Sequence, residues 1–339
     1  MYYLDVNYSL LIKNNIATTD KLKILLKEKI KEDIWQEILD YDINNYISEN
    51  KDKFKQILRD GIPDNLRGYV WLALAEIDKY KIPGLYKDLL EIKLDKSNPI
   101  VIDIIKDLPR SCPNNTFYKQ DFGLGQIKLF NVLKCFSYYY KKTGYLQAMS
   151  FLVANFLCYI DEESAFWLMY VLMEKYNLKT VYELKFPGLN KKYYKLLVLL
   201  KKYCENIYIH LFDRKITPSL YCVNWFMTLF FSNNNIISIV IRIFDIYLFE
   251  KEKTIYKFIL GFFKCNESII LKAKEMEDVF NVLKTFQSNI KFDDLITYTY
   301  SFDIHNNYLN SLDYMYDELI KHNKTDEFID FMNYFDNLD

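Results

Sequence analysis

Only 8 glycines and 7 prolines punctuate the 339 residues, and that scarcity constrains the fold more than any motif. A β-rich chain turns tightly many times and places such residues at its turns, whereas long helices need few of them. The apolar residues recur with the matching period. Leu22, Leu25, Leu26, Ile30, Ile34 and Ile38 step by three or four, which predicts one buried helical face behind a cap at Asp20, with Trp35 beside it. Leu129, Val132, Leu133, Phe136 and Tyr140 align over 128–140; Gly144 offers a turn, and Leu146, Met149, Val153, Phe156 and Ile160 make a second stripe. Pro99 after Asn98 opens another helix, with Ile102, Ile105 and Leu108 on one face until Pro109 ends it, which puts Arg110 just past a helix terminus. Residues 191–211, 219–231 and 236–249 read as apolar helices, with breaks at Phe186-Pro187-Gly188 and Thr217-Pro218. No alternating run competes and no fixed-period repeat occurs, so the expected class is all-α from residue 20 onward.

Composition narrows the function classes. Hydrophobic residues make up 51% of the chain, enough to fill sizeable cores. Lys+Arg of 44 against Asp+Glu of 45 leaves a net charge of -1, so no global basic field favours nucleic acid or an anionic membrane. Cys112, Cys135, Cys158, Cys204, Cys222 and Cys265 form no C-x-x-C, and His210, His305 and His322 have no metal-ligand spacing. A reduced, intracellular setting without bound metal is the expectation. The first residues, MYYLDVNYSLLIKNNI, lack a signal-peptide pattern, and later apolar runs stop short of the roughly 18–20 residues of a membrane span. A soluble protein is expected.

Four stretches carry a more specific signal. GIPDNLRGYVW runs from Gly61 to Trp71 and contains Arg67; IIKDLPRSCP contains Ile104, Asp107 and Arg110. GYLQAMS contains Tyr145 and Gln147, and residues 216–250 read ITPSLYCVNWFMTLFFSNNNIISIVIRIFDIYLFE, with Arg242 and Asp245. In this order and spacing they resemble the signature blocks of the TBC-domain family of Rab GTPase-activating proteins: GIP-x-x-hydrophobic-R-x-x-x-W, I-x-x-D-x-x-R, Y-x-Q, and P-x-L-Y-x-x-x-W-F-x-T-L-F followed by R-hydrophobic-W/F-D. Trp35 resembles a tryptophan that often precedes the first block. The likeness extends over roughly residues 35–300. Ser111 stands where the family usually has Thr, Ala148 replaces the glycine of Q-G-M, and Ser150 replaces the Asn that often follows. If position 148 is ordinary right-handed helix its methyl costs nothing; if a partner's backbone approaches closely, it interferes.

The resemblance implies two helical subdomains forming a V with a GTPase-binding groove: a helical leader over 1–34, a finger-bearing subdomain over 35–165, and a second subdomain over 166–339. It implies an activator, not an enzyme in its own right, acting on a GTP-bound Rab-family small GTPase in vesicle trafficking and intracellular protein transport. The GTP and Mg2+ belong to the partner, and the chain needs no cofactor or metal of its own. No nucleic-acid partner is implied, and the setting is cytoplasmic, with peripheral recruitment to endomembranes left open.

Arg110 and Gln147 are then the catalytic fingers, with Asp107, Tyr145 and Arg67 supporting and Trp71, Arg242 and Asp245 structural. Phosphoryl transfer to water is mostly positioning and electrostatic stabilisation, and a supplied arginine is worth roughly 10³–10⁵ in rate, about 4–7 kcal/mol. A guanidinium stays charged and donates from a planar fork. An amide can accept from the attacking water while donating to phosphate, so Gln147 at the head of a helix suits the second role. Other readings compete. Arg110 alone could complement a helix dipole, Gln147 alone would be a surface amide, and Arg67 and Trp71 could serve packing only. Arg242 and Asp245, three apart, can pair within a core. Cys112 has no histidine in a catalytic context, and Gly123 to Gln126, GLGQ, lacks the lysine of a phosphate loop. A non-catalytic helical adaptor binding a small GTPase or a vesicle-trafficking protein is the alternative function.

Overall fold

Among residues 19–93, 95, 97–233, 236–285 and 290–321, which the computed structural model describes, every regular element is helical. The chain divides between Leu74 and Ala75 into two compact units. None of the described helices is long and apolar enough to cross a membrane.

In the first unit α1 spans Thr19–Asp40, α2 Ile43–Glu49, α3 Lys51–Asp60 and α4 Asp64–Ala75, the last reaching the division. Its centre is Trp35, fully buried and edge-on to Phe54 at 5.8 Å. The indole Nε1 donates to the Gly61 carbonyl at 2.8 Å. Gly61 ends α3 with φ 108°, a region an L side chain avoids, while its N–H closes back on Ile57 and Leu58. The glycine of the GIP block is therefore a turn, and the upstream tryptophan reads its carbonyl.

The predicted apolar face of α1 is corrected. Trp35 and Ile38 turn inward, but Leu26, Ile30 and Ile34 are exposed. The indole, larger and able to satisfy its N–H inside, sets the helix rotation in place of the aliphatic row. The helix also begins at Thr19, so Asp20 lies inside it; the side chains of Leu22 and Leu25 lie outside the described residues.

In the second unit α5 spans Leu85–Glu91, α6 Pro99–Ser111, α7 Leu124–Tyr139, α8 Ala148–Phe156 and α9 Glu162–Glu174. Then follow α10 Pro187–Tyr203, α11 Glu205–Asp213, α12 Pro218–Tyr221, α13 Val223–Met227, α14 Ile237–Glu250 and α15 Lys253–Cys265. The last are α16 Glu267–Lys272, α17 Met276–Thr285, α18 Phe292–Ser301 and α19 Asn306–Lys321. Helix α7 is a hub that packs on α6, α8 and α9. Phe156 of α8 stacks on Phe244 of α14 at 5.3 Å, which joins the early helices to the late ones. Gly261 lets α15 and α18 close up, since a Cβ there would stand 2.5 Å from Thr299 Oγ1.

Three further expectations shift. The span 191–211 breaks at Cys204 (φ −139°, ψ 49°), and its helix starts earlier, at Pro187. The span 219–231 is not one helix but α12 and α13, followed by Leu229 and Phe230 at positive φ, buried nonetheless. Pro109 does not end its helix, because α6 continues through Ser111.

Candidate functional site

Arg110 lies in the last turn of α6. A proline so near a helix end removes one N–H and leaves a single upstream carbonyl without its helical donor, so the turn survives it. Two contacts hold that turn. Ser111 Oγ donates to the Asp107 carbonyl at 2.7 Å, and Arg110, one turn after Asp107, folds back on its carboxylate. Arg110 Nε donates to Asp107 Oδ1 at 2.6 Å and Nη2 donates to the same oxygen. The arginine side chain is 54% exposed, while that of Asp107 is 2% exposed. The charged tip is therefore outside and its anchor inside.

The other carboxylate oxygen, Oδ2, accepts from Tyr145 Oη at 2.5 Å. Tyr145 follows Gly144, whose φ of 63° turns the chain between α7 and α8. Burial first, and the Asp107 carboxylate second, push the Tyr145 phenol well above its ordinary value, so it remains a protonated donor. Asp107 is thus a shared acceptor between α6 and the loop that leads into α8.

Gln147 is two residues on, at the N-cap of α8, with helical angles of φ −47° and ψ −40°. Its carbonyl accepts twice from Ser150, from N at 3.1 Å and from Oγ at 2.8 Å. The residue is exposed, and its side-chain amide has no hydrogen-bond partner among the described residues. Ala148 is the first residue of α8, in ordinary right-handed helix, so its methyl costs the chain itself nothing.

The surroundings are set by buried polar ties. Asn155 of α8 donates to Phe151 O at 2.8 Å and approaches Cys112 Sγ at 3.5 Å. Burial pushes the Cys112 thiol up to about 12, which makes it a packing group and not a nucleophile. The GLGQ stretch is a locked turn: a Cβ on Gly125 would meet the Phe117 carbonyl oxygen at 2.1 Å. Gln126 Nε2 donates to Tyr118 O, and its Oε1 accepts from Phe122 N, both at 3.0 Å.

The remaining motif residues are placed as follows. Arg67 is buried, donates to Ile62 O at 2.6 Å and pairs with Asp64; Trp71 is fully buried. Asp245 is fully buried in α14, and the Arg242 guanidinium lies 4.5 Å over the Phe292 ring of α18. Motif reading named Arg110, Asp107, Tyr145 and Gln147 but missed the work of Ser111 and Ser150, visible in the sequence only as departures from a pattern.

The Rab-GTPase-TBC domain family matches residues 64–271 of the chain. "TBC1 domain family member 4" of Mus musculus is 30% identical over 259 residues, covering 73% of this chain and 19% of the relative. "Rab GTPase-activating protein tbc-11" of Caenorhabditis elegans is 32% identical over 212 residues, covering 62% and 22%. The chain thus spans only about a fifth of the length of these curated relatives. Among solved structures, the Chlamydomonas flagellar RabGAP TBC domain superposes with a TM-score of 0.67 at 21% identity, covering 81% of this chain and 91% of that one. That likeness shows a shared fold.

Proposed function

Because the chain belongs to the Rab-GTPase-TBC domain family, we propose that it is a GTPase-activating protein for a GTP-bound Rab-family small GTPase, to which it supplies Arg110 and Gln147 in trans. The observation that carries this reading is the tie of Arg110 to Asp107 and of Asp107 to Tyr145, two residues before Gln147. An exposed guanidinium held by a buried carboxylate is aimed before any partner arrives, so little of its freedom remains to be lost on contact.

On contact, Arg110 exchanges part of its carboxylate pairing for phosphate oxygens, where negative charge grows in the transition state. Gln147, with a free amide at the positive end of α8, accepts from the attacking water and donates to the γ-phosphate. GTP and Mg2+ come with the partner. In this reading the chain acts in the cytoplasm.

The test is phosphate release from a panel of GTP-loaded Rabs with and without the chain. At least one should be accelerated, and Arg110→Ala should abolish the acceleration while binding persists. Binding with no acceleration of any Rab would replace this reading with that of a non-catalytic adaptor.

A further inference from the structure

A cleft of about 480 Å³ opens beside the finger-bearing segment, and the two-finger scheme does not use it. One of its walls is Asn114, four residues beyond Arg110. That asparagine stands in a pinned turn, because Asn115 N donates to the Cys112 carbonyl at 3.1 Å and Asn115 Oδ1 accepts from Phe117 N at 2.9 Å. The other walls include Leu220 and Tyr221 of α12, Asn224 and Trp225 of α13, and Lys284 of α17.

The walls are fixed and partly apolar. Trp225 stacks on Phe230 at 6.0 Å and meets Tyr221 edge-on at 5.5 Å, while Leu220 is left 53% exposed. An exposed leucine beside a rigid aromatic stack is a seat for a large apolar side chain. Leu229 and Phe230, with φ of 48° and 70°, turn the chain after α13, and Ser232 and Asn233 beyond them also line the cleft. Neither is a glycine, so the turn is held against strain, and both side chains are buried to hold it. Tyr221 Oη is buried and has no hydrogen-bond partner among the described residues. Buried polar groups are nearly always paired, so this wall is one polar partner short. Among the described lining residues Lys284 carries the only charge, and none is a carboxylate. The cleft therefore favours an acidic group over a basic one.

Its position matters as much as its chemistry. Four residues of chain place Asn114 Cα at most about 14 Å from Arg110 Cα. A standard protein interface covers roughly 800 Å² on each side, a patch about 30 Å across. We infer that a GTPase receiving Arg110 also covers this cleft, which serves as a specificity site for it. The cleft takes a short loop segment that offers a large apolar side chain to Leu220 and Trp225 and a carboxylate to Lys284. This rests on the proposed activity and deepens it by giving the chemistry of the partner's surface. The cleft contributes to affinity and choice of partner, and the reaction stays with Arg110 and Gln147.

The experiment uses the full chain at trace level with rising concentrations of the Rab that it accelerates most. Binding to the same Rab carrying a non-hydrolysable GTP analogue is measured in parallel. Leu220→Ala removes the apolar seat and should raise KM and Kd by about five- to twentyfold, with kcat within about twofold of the parent. Lys284→Glu should raise both by about tenfold at low salt, and the gap should shrink to within about threefold at about 0.5 M salt. Both side chains are exposed, so melting should move by no more than about 2 °C in either variant. KM and Kd within about twofold of the parent in either variant overturn the inference. A loss confined to kcat also overturns it, because it places the effect at the fingers. Binding of Rabs without acceleration by the unsubstituted chain removes the activity, and Kd alone then decides the cleft; binding of none removes both.

Discussion

Replacing Tyr145 by Phe deletes one oxygen and leaves the ring, so it isolates the contact to Asp107. That oxygen donates to Asp107 Oδ2 at 2.5 Å, and the Asp107 side chain is 2% exposed, so water does not take its place. A hydrogen bond to a charged group contributes about 1.5–3 kcal/mol, and the loss should appear nearly whole because the acceptor stays buried. For a unit of this size each kcal/mol moves the midpoint by about 2–4 °C, so Tm should fall by roughly 3–12 °C. Burial and Asp107 hold the phenol proton well above its ordinary range, so the gap between parent and variant should be flat from about pH 6 to 9. Arg110 keeps both donors on Oδ1, so stimulated hydrolysis should fall by only about 3- to 30-fold. Thermal melts across that pH range, beside single-turnover hydrolysis, test both parts. A variant melting within about 1 °C of the parent would refute the role given to this contact.

Arg110→Ala should lower stimulated hydrolysis by about 10³–10⁵-fold and, because Asp107 loses its cation, also cost about 1 kcal/mol of stability; Gln147→Ala should lower the rate strongly with almost no change in stability. Hydrolysis assays and urea midpoints separate the two patterns. Gly125→Ala places a methyl 2.1 Å from the Phe117 carbonyl oxygen and should cost about 2–4 kcal/mol, whereas Gly144→Ala, in open space at φ 63°, should cost only about 1 kcal/mol. Urea unfolding that reverses this order would disprove the close-approach argument. For Glu252, burial pushes the carboxyl up, but Lys192 and Lys195 outweigh it and hold it at about 2, below the usual 4.5. A depressed carboxylate stabilises above its unfolded value and loses that contribution as pH falls from 4.5 toward about 2. Glu252→Gln should therefore be less stable than the parent at pH 7 by on the order of 2 kcal/mol, with the gap narrowed but still open at pH 3 and closing only as pH falls through about 2, in urea titrations at pH 7, 3 and below 2.

The helical class was legible because periodicity and sparse turn residues are local properties, and they survived assembly. What failed was local information that packing overrides. The row Leu26, Ile30 and Ile34 looked like a buried face, yet the Trp35 indole and its bond to Gly61 decided which side of α1 faces in. Pro109 looked like a stop, but its position in the last turn makes its missing N–H cheap. Residues 219–231 carried helical periodicity, and the break at Leu229 and Phe230 needs a positive φ that no glycine announces. At the site, Arg110, Asp107, Tyr145 and Gln147 could be named from motif blocks. The sharing of one carboxylate by α6 and the α8 approach could not, since it exists only once those helices pack. Ser150 carried the weakest signal of all, a departure whose hydroxyl bonds back to the Gln147 carbonyl only once α8 has formed.

The pairing of Arg110 with Asp107 also governs encounter. Guanidinium and carboxylate held together present a dipole to their surroundings, and its field is screened away within roughly 8 Å at physiological salt. A lone arginine at that position would draw in any polyanion from further off, including free nucleotide and polyphosphate. Tied to its carboxylate, the fingertip is electrostatically quiet at long range and becomes a cation only where phosphate oxygens come near enough to compete for it. Discrimination among approaching surfaces is thereby left to the shapes that touch, with steering by bulk charge contributing little.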